Sequence, residues 1–221
     1  MKWFRRDDNA AIVLCFDPLS EASIQEFEDA IIEVGKYFRF VKLSDLVTKL
    51  IDREPVRNLA VVALTHARKA TFFHAVPYLL NRKVAFTLFL LPECIGTNRL
   101  PKNEEQAVRD SSGRLDIERL NPLGYFATWK EIMNVPPSVR EFGLSTDQDV
   151  SIGNYHSFIN DLRFVRQQTG EQVNLLASRD SLDGSKLRGE GILGVLTSEG
   201  GAVRSDTDPY HIPRWLLKKK G

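Results

Sequence analysis

"LAVVALTHARKATFF", Leu59 to Phe73, decides how the rest of the chain is read. Its first six residues are all apolar, without the polar alternation of a strand that faces water on one side. Such a run fits a strand covered on both faces, as in parallel sheets. Thr65-His66-Ala67-Arg68-Lys69 then interrupt it, and from Thr71 the apolar spacing becomes helical through Leu80, with Pro77 either kinking that helix or sitting near its start. A strand running through a short polar turn into a helix is part of a β/α repeat. In such proteins reacting groups gather at the carboxyl ends of the strands. Carboxylates would be expected among such groups, whereas this turn supplies an alanine and two cations.

The same alternation extends in both directions. Residues 11 to 16, "AIVLCF", form a short apolar strand, and "SIQEFEDAIIEV" follows with Ser23 and Glu26 spaced as a capping box and Ile24, Phe27, Ile31 and Val34 on one stripe. The patterning predicts a strand over Phe38 to Leu43, a short helix over Ser44 to Ile51 and a strand over Val84 to Leu90. "ATWKEIM" reads as a helix with Thr128 as cap, "VREFGLS" as a strand, and Phe158 to Gln168 as a helix stopped at Thr169-Gly170. "VNLLAS" and "ILGVLT" supply the last strands. Residues 92 to 122 are polar and read as a loop excursion over the surface. About seven strands alternating with helices fit a closed or nearly closed barrel, with a doubly wound open sheet as the competing architecture.

Bulk properties narrow the function. The 221 residues fit one domain spanning 1–221 with its core at about 11–217, and 30 basic against 29 acidic residues give no electrostatic footprint for nucleic acid. No stretch has membrane-spanning length and the first ten residues lack the apolar core of a secretory signal, so a cytoplasmic location is expected. Two cysteines exclude a disulfide framework or a Cys-based zinc site, and Cys15, inside a strand, is expected to be buried and inert. The aromatic-basic ends, "MKWFRR" and "RWLLKKKG", are read as solvated, with peripheral membrane contact as the alternative. There is no Walker pattern, GxGxxG or G-x-S-x-G elbow. Of the tryptophans, Trp129 shares a stripe with Ile132 and reads as core, not as a sugar-stacking platform.

The order of segments resembles the polysaccharide deacetylases, the NodB-homology or carbohydrate esterase family 4 domain. The resemblance rests on "LCFDPLS" with "FEDAIIEVGKYFRFVKLSDL", "VVALTHA" with "AVPYLLNRKVAFTLFL", "TWKEIM…VREFGLST", "INDLRFVRQQTGEQVNLLAS" and the closing "GILGVLTSEGG…DPYHIPRW", from about Ala11 to Trp215. It implies a single-domain α/β fold, a distorted (β/α)7 TIM-like barrel, that removes acetyl groups from sugars with zinc or another divalent metal. The family's T-F-D-D-G supplies a catalytic base and a metal ligand, and its H-T-x-x-H two more ligands.

At those positions this sequence departs. A gapless match places Ala67 and Arg68 on the two aspartates, and a gapped one places His66 on one of them. Ser145 and Asp149 stand at the two histidines with Thr146 between them. Ser178 and Arg179 replace a later aromatic-proline or arginine element, and Phe16-Asp17 an aromatic-histidine pair. A guanidinium has no lone pair for a metal, so no cofactor and no metal site are expected. Asp17, His66, Arg68, Asp147, Asp149 and Arg179 remain as a candidate ligand-binding set at the barrel mouth. Two readings follow: an inactive protein binding a saccharide or a protein partner in polysaccharide or cell-envelope metabolism, or an active carbohydrate deacetylase with an atypical site built on His66 and Asp149. The bland alternative is an eroded mouth whose charges pair with one another. His74, His156 and His211 are read as packing or capping residues.

Overall fold

The computed structural model describes residues 9–16, 21–97, 125–146, 155–178 and 184–217. Eight strands form one sheet: β1 (Ile12–Phe16), β2 (Arg39–Phe40), β3 (Leu59–Leu64), β4 (Phe86–Leu90), β5 (Arg140–Ser145), β6 (Leu175–Ala177), β7 (Gly194–Leu196) and β8 (Trp215–Leu217). Their order is β7-β6-β5-β4-β3-β1-β8, with every pairing parallel. β2 lies off this path. Ala60 of β3 pairs with Ile12 on one edge and with Phe40 of β2 on the other, so β2 shares the edge that β4 uses further along, at Ala63 and Leu64.

β7 and β8, the ends of this order, are brought together by the stretch that leads into β8. Leu196 and Ile212 make a single parallel bridge, in which the Ile212 N–H donates to Val195 O at 2.9 Å and the Thr197 N–H to Ile212 O at 3.0 Å. The curled sheet is thus a (β/α) barrel of seven strands that one bridge, not a ladder, completes. This is the single-domain, distorted barrel that the segment order implied.

Side chains alternate between the two faces with the period of two that a strand imposes. Outward, Ile12, Leu14, Phe16, Val62, Leu64, Phe86, Leu88, Leu90, Phe142 and Leu144 join a core with α1 (Glu21–Gly35), α3 (Val76–Asn81), α4 (Trp129–Met133), α5 (Tyr155–Thr169) and α6 (Gly184–Gly189). Inward, Val13, Cys15, Val61, Ala63, Phe89, Leu175, Ala177 and Leu196 form a second core. Its helical partner is α2 (Leu43–Ile51), through Leu43, Leu46, Val47 and Leu50.

α2 therefore stops the amino end of the barrel. A Cβ on Gly194, the first residue of β7, would sit 2.5 Å from Val47 Cγ2, and one on Gly143 would sit 2.4 Å from the Phe89 ring. Only glycine admits such approaches. The Glu141 carboxylate, pointing inward from β5, accepts from the Ser44 N–H at 3.1 Å and from the Thr87 hydroxyl at 2.5 Å. It supplies the negative charge and acceptor that the first turn of α2 needs, since Lys42 at the cap position provides none.

Several sequence expectations change here. The strand read over Phe38 to Leu43 shrinks to two residues because Leu43 already belongs to α2. α1 begins at Glu21, so Ser23 lies within its first turn and not at its cap. The helix from Thr71 opens with a π-helical turn, Thr71–Ala75, and Pro77 falls in the first turn of α3, where a missing N–H is harmless. Residues 92–97, read as the start of the excursion, are a turn that buries Cys94 and Ile95; residues 98–124 lie outside the described set. α6 and β8 escaped the periodicity altogether. The Thr128 cap and the stop at Gly170 are found as read, and Trp129 packs on the outer core edge-on to Phe164. Among the described residues no helix is long and apolar enough to cross a membrane.

Candidate functional site at the carboxyl end of the barrel

Thr65 ties the end of β3 to the end of β1, since its N–H and its hydroxyl both donate to Phe16 O, at 3.2 and 3.1 Å. His66 and Ala67 follow with φ of 66° and 42°, two consecutive left-handed residues that turn the chain back on itself. For a residue with a Cβ this conformation costs about 1–2 kcal/mol. The turned chain runs antiparallel to Tyr125–Ala127: Ala127 N–H donates to Ala67 O at 2.9 Å and Lys69 N–H to Tyr125 O at 2.7 Å. Arg68, 3% exposed, lays its guanidinium over the Phe126 ring at 4.9 Å, and the His66 ring lies 6.4 Å from the same ring. Both loops end in helices: the first in the π-helical turn, the second in α4, capped by Thr128 and Glu131. There the Thr128 N–H, donating at 2.7 Å, holds the Glu131 carboxyl below the ordinary range.

Across the mouth, Ser145 ends β5 and is buried beside Ala177 of β6. The Thr146 N–H donates to Ala177 O at 3.1 Å, while its hydroxyl oxygen is enclosed and has no hydrogen-bond partner. Arg214 enters from the stretch before β8, through the weakly closed seam of the barrel. Its Nη1 is 3.6 Å from Cys15 Sγ and its Nη2 is 3.5 Å from Ser178 O; its Nε is enclosed without a partner. Cys15 is buried as expected, yet it lies against a cation and not in a purely apolar setting.

Of the residues singled out in the sequence, His66, Ala67, Arg68 and Ser145 all stand at this one end of the barrel. Asp17, Asp147, Asp149 and Arg179 lie outside the described residues, so the rebuilt set they would complete is not described. His211 holds Asp208 at 3.0 Å in a turn, as a capping residue does. Sequence reasoning missed Arg214, although it quoted the stretch containing it; an arginine flanked by Pro213 and Trp215 just before the last strand was the available signal.

The described residues at the matched positions do not fit a divalent metal. Ala67 offers no donor, the Arg68 guanidinium offers no lone pair, and Ser145 offers a neutral hydroxyl, which leaves the His66 imidazole as the one metal-ligating group among them. Among the described residues no three of His, Cys, Asp and Glu gather as a cation would require.

No protein-family model and no curated protein matches the sequence. Solved structures do resemble the fold. IcaB from Ammonifex degensii superposes with a TM-score of 0.72 at 19% identity, over 96% of this chain and 93% of that one. The BpsB deacetylase domain from Bordetella bronchiseptica gives 0.64 at 13% identity, over 97% and 98%. BC0361, a polysaccharide deacetylase from Bacillus cereus, gives 0.62 at 12% identity, over 94% of this chain and 64% of that one. The closing seam, the inner and outer cores and these superpositions agree: the chain folds as a (β/α) barrel similar to those of these deacetylase structures.

Proposed function

We propose that this protein binds a saccharide at the carboxyl end of its barrel and does not carry out metal-dependent deacetylation. The observation that carries the reading is Arg68, a buried cation at the end of β3, where hydrolysis in this fold calls for carboxylates. At ~4 Å and an effective dielectric near 20, two like unit charges already cost about 4 kcal/mol, and a divalent ion would feel roughly twice that. Polar groups at the carboxyl end of a barrel suit sugar hydroxyls, and guanidinium groups suit any acidic substituent. BpsB and BC0361, a deacetylase domain and a polysaccharide deacetylase, lend the saccharide class by analogy of fold. A role in polysaccharide metabolism, the lack of a resident metal and a cytoplasmic location belong to the same proposal.

The test joins metal analysis of the purified protein to an acetate-release assay and a binding titration, both on N-acetylglucosamine oligomers. Binding without stoichiometric metal or released acetate is expected. Stoichiometric metal accompanied by acetate release overturns the proposal, and so does failure to bind any oligomer, which would point to a protein partner instead.

A second reading, an atypical hydrolase, is favoured by one feature. Consecutive left-handed residues followed by a π-helical turn are the kind of strain that functional sites retain. On that reading His66 serves as the proton-transfer group, and His66→Gln abolishes any acetate release.

A further inference from the structure

The end of α2, the residue before β7 and the stretch that leads toward β8 enclose a cavity at the amino end of the barrel, away from the mouth. Its volume is about 830 Å³, within the range of ~300–1,000 Å³ that binding clefts occupy. Leu50, Ile51, Leu193 and Tyr210 give it an apolar floor. Ile51 is 52% exposed and Leu193 40%, so two large apolar side chains of one cavity are left in water. Exposed apolar surface of this kind marks a place where something docks. The wall is fixed by local bonds: the Arg204 N–H donates to the Thr207 hydroxyl, the Tyr210 N–H to Asp208 Oδ1 and the Tyr210 hydroxyl to Ile192 O, each at 2.9 Å. Charges of both signs line it, Arg53 and Arg188 with Asp206 and Asp208.

The described chain begins beside this cavity. Ala11 pairs antiparallel with Val203, each N–H donating to the other's carbonyl at 2.8 Å, and Ala10 O accepts from the Asn58 N–H at 3.2 Å. Continuing the antiparallel register two residues brings Asn9 abreast of Ser205, which lines the cavity. Residues 1–8, which precede it, read "MKWFRRDD": an aromatic pair, then two cations, then two anions. We propose that residues 1–8 of this chain dock in the cavity, with Trp3 and Phe4 on the apolar floor and Arg5 and Arg6 toward Asp206 and Asp208. Trp3 lies six residues before Asn9 and can reach ~20 Å from it. Burial of the two rings against Ile51 and Leu193 supplies the affinity. Exposed charge pairs add little to it and instead select this segment over a neutral or wholly acidic one. The inference concerns the end of the barrel opposite the mouth and is independent of the saccharide reading.

The experiment is nuclear magnetic resonance of the isotope-labelled full chain, reading proton–proton cross-peaks from the Trp3 and Phe4 rings to the methyl groups of Ile51 and Leu193. Cross-peaks that persist unchanged on tenfold dilution are expected. Trp3→Ala and Phe4→Ala should each shift both sets of methyl resonances and leave those of Ile32, equally exposed on α1, in place. Asp206→Lys should weaken the cross-peaks several-fold, and adding Arg5→Glu should restore part of the loss. All four are exposed or outside the core, and the unmodified chain decides alone if any variant is unstable. Absence of cross-peaks from both rings overturns the proposal. Cross-peaks lost on dilution overturn it in favour of a second copy of the chain. Absent cross-peaks together with a Trp3-dependent fluorescence shift on phosphatidylglycerol vesicles overturn it in favour of a membrane surface.

Discussion

The two ends of the barrel solve opposite problems with similar residues. At the amino end α2 fills the interior, Glu141 caps that helix, and Arg140 has a carboxylate, a carbonyl and an aromatic face. At the carboxyl end Arg214 and the Thr146 hydroxyl are buried without full satisfaction, and His66 and Ala67 hold left-handed backbone. One end is built to be stable and the other tolerates local cost, which is the division of labour that (β/α) barrels follow.

Substitutions should reveal the contrast. The largest effect is expected in the plug: Leu46→Ala, at a side chain with no exposure, should cost about 2–5 kcal/mol in chemical denaturation through lost burial and a residual cavity. A smaller loss would mean that α2 is not integral to the inner core. Next, Gly194→Ala drives a methyl against Val47 and should cost ~1–3 kcal/mol. Pairing it with Val47→Ala should recover part of that loss, and additivity of the two would show that they do not meet.

At the mouth the sign should reverse. Ala67→Gly relieves a left-handed conformation costing about 1–2 kcal/mol at an entropic cost of ~0.5–1 kcal/mol, for a net gain of roughly 0.5 kcal/mol. Destabilisation by a full kcal/mol would deny any strain at this turn.

The smallest effect concerns the α4 cap. A carboxyl held low in the folded state, as that of Glu131 is, adds stability above its unfolded pKa of about 4.3 and loses it as pH falls through the folded value. Glu131→Gln should therefore lower the melting temperature at pH 7, by an amount equivalent to ~0.5 kcal/mol, and have less effect near pH 3. An equal effect at both pH values would assign the loss to packing.

Strands β1, β3, β4 and β5 were legible because burial on both faces writes itself as unbroken apolar runs such as "IVLCF" and "LAVVAL". α4 was legible because Thr128 and Glu131 carry a local hydrogen-bonding code. β6 and β7 were read within "VNLLAS" and "ILGVLT" and β2 was read too long, whereas β8, three residues, is too short for any period to show. At the mouth, the sequence exposed the missing carboxylates through Ala67 and Arg68 but only hinted at Arg214 through its Pro213 and Trp215 neighbours, since its place depends on where the last strand docks.

What the sequence determined alone was local: which segments form strands or helices, and that the end of β3 carries an alanine and a cation. That follows from period, caps and residue chemistry, which act over a few neighbours. Only the tertiary structure decided that α2 plugs the inside while the other helices coat the outside, and that a residue near the carboxyl end reaches across the seam to Cys15 and Ser178. Those outcomes depend on contacts between segments as far as 199 positions apart. Their free energy is settled by burial and charge in the closed barrel, which no local pattern encodes.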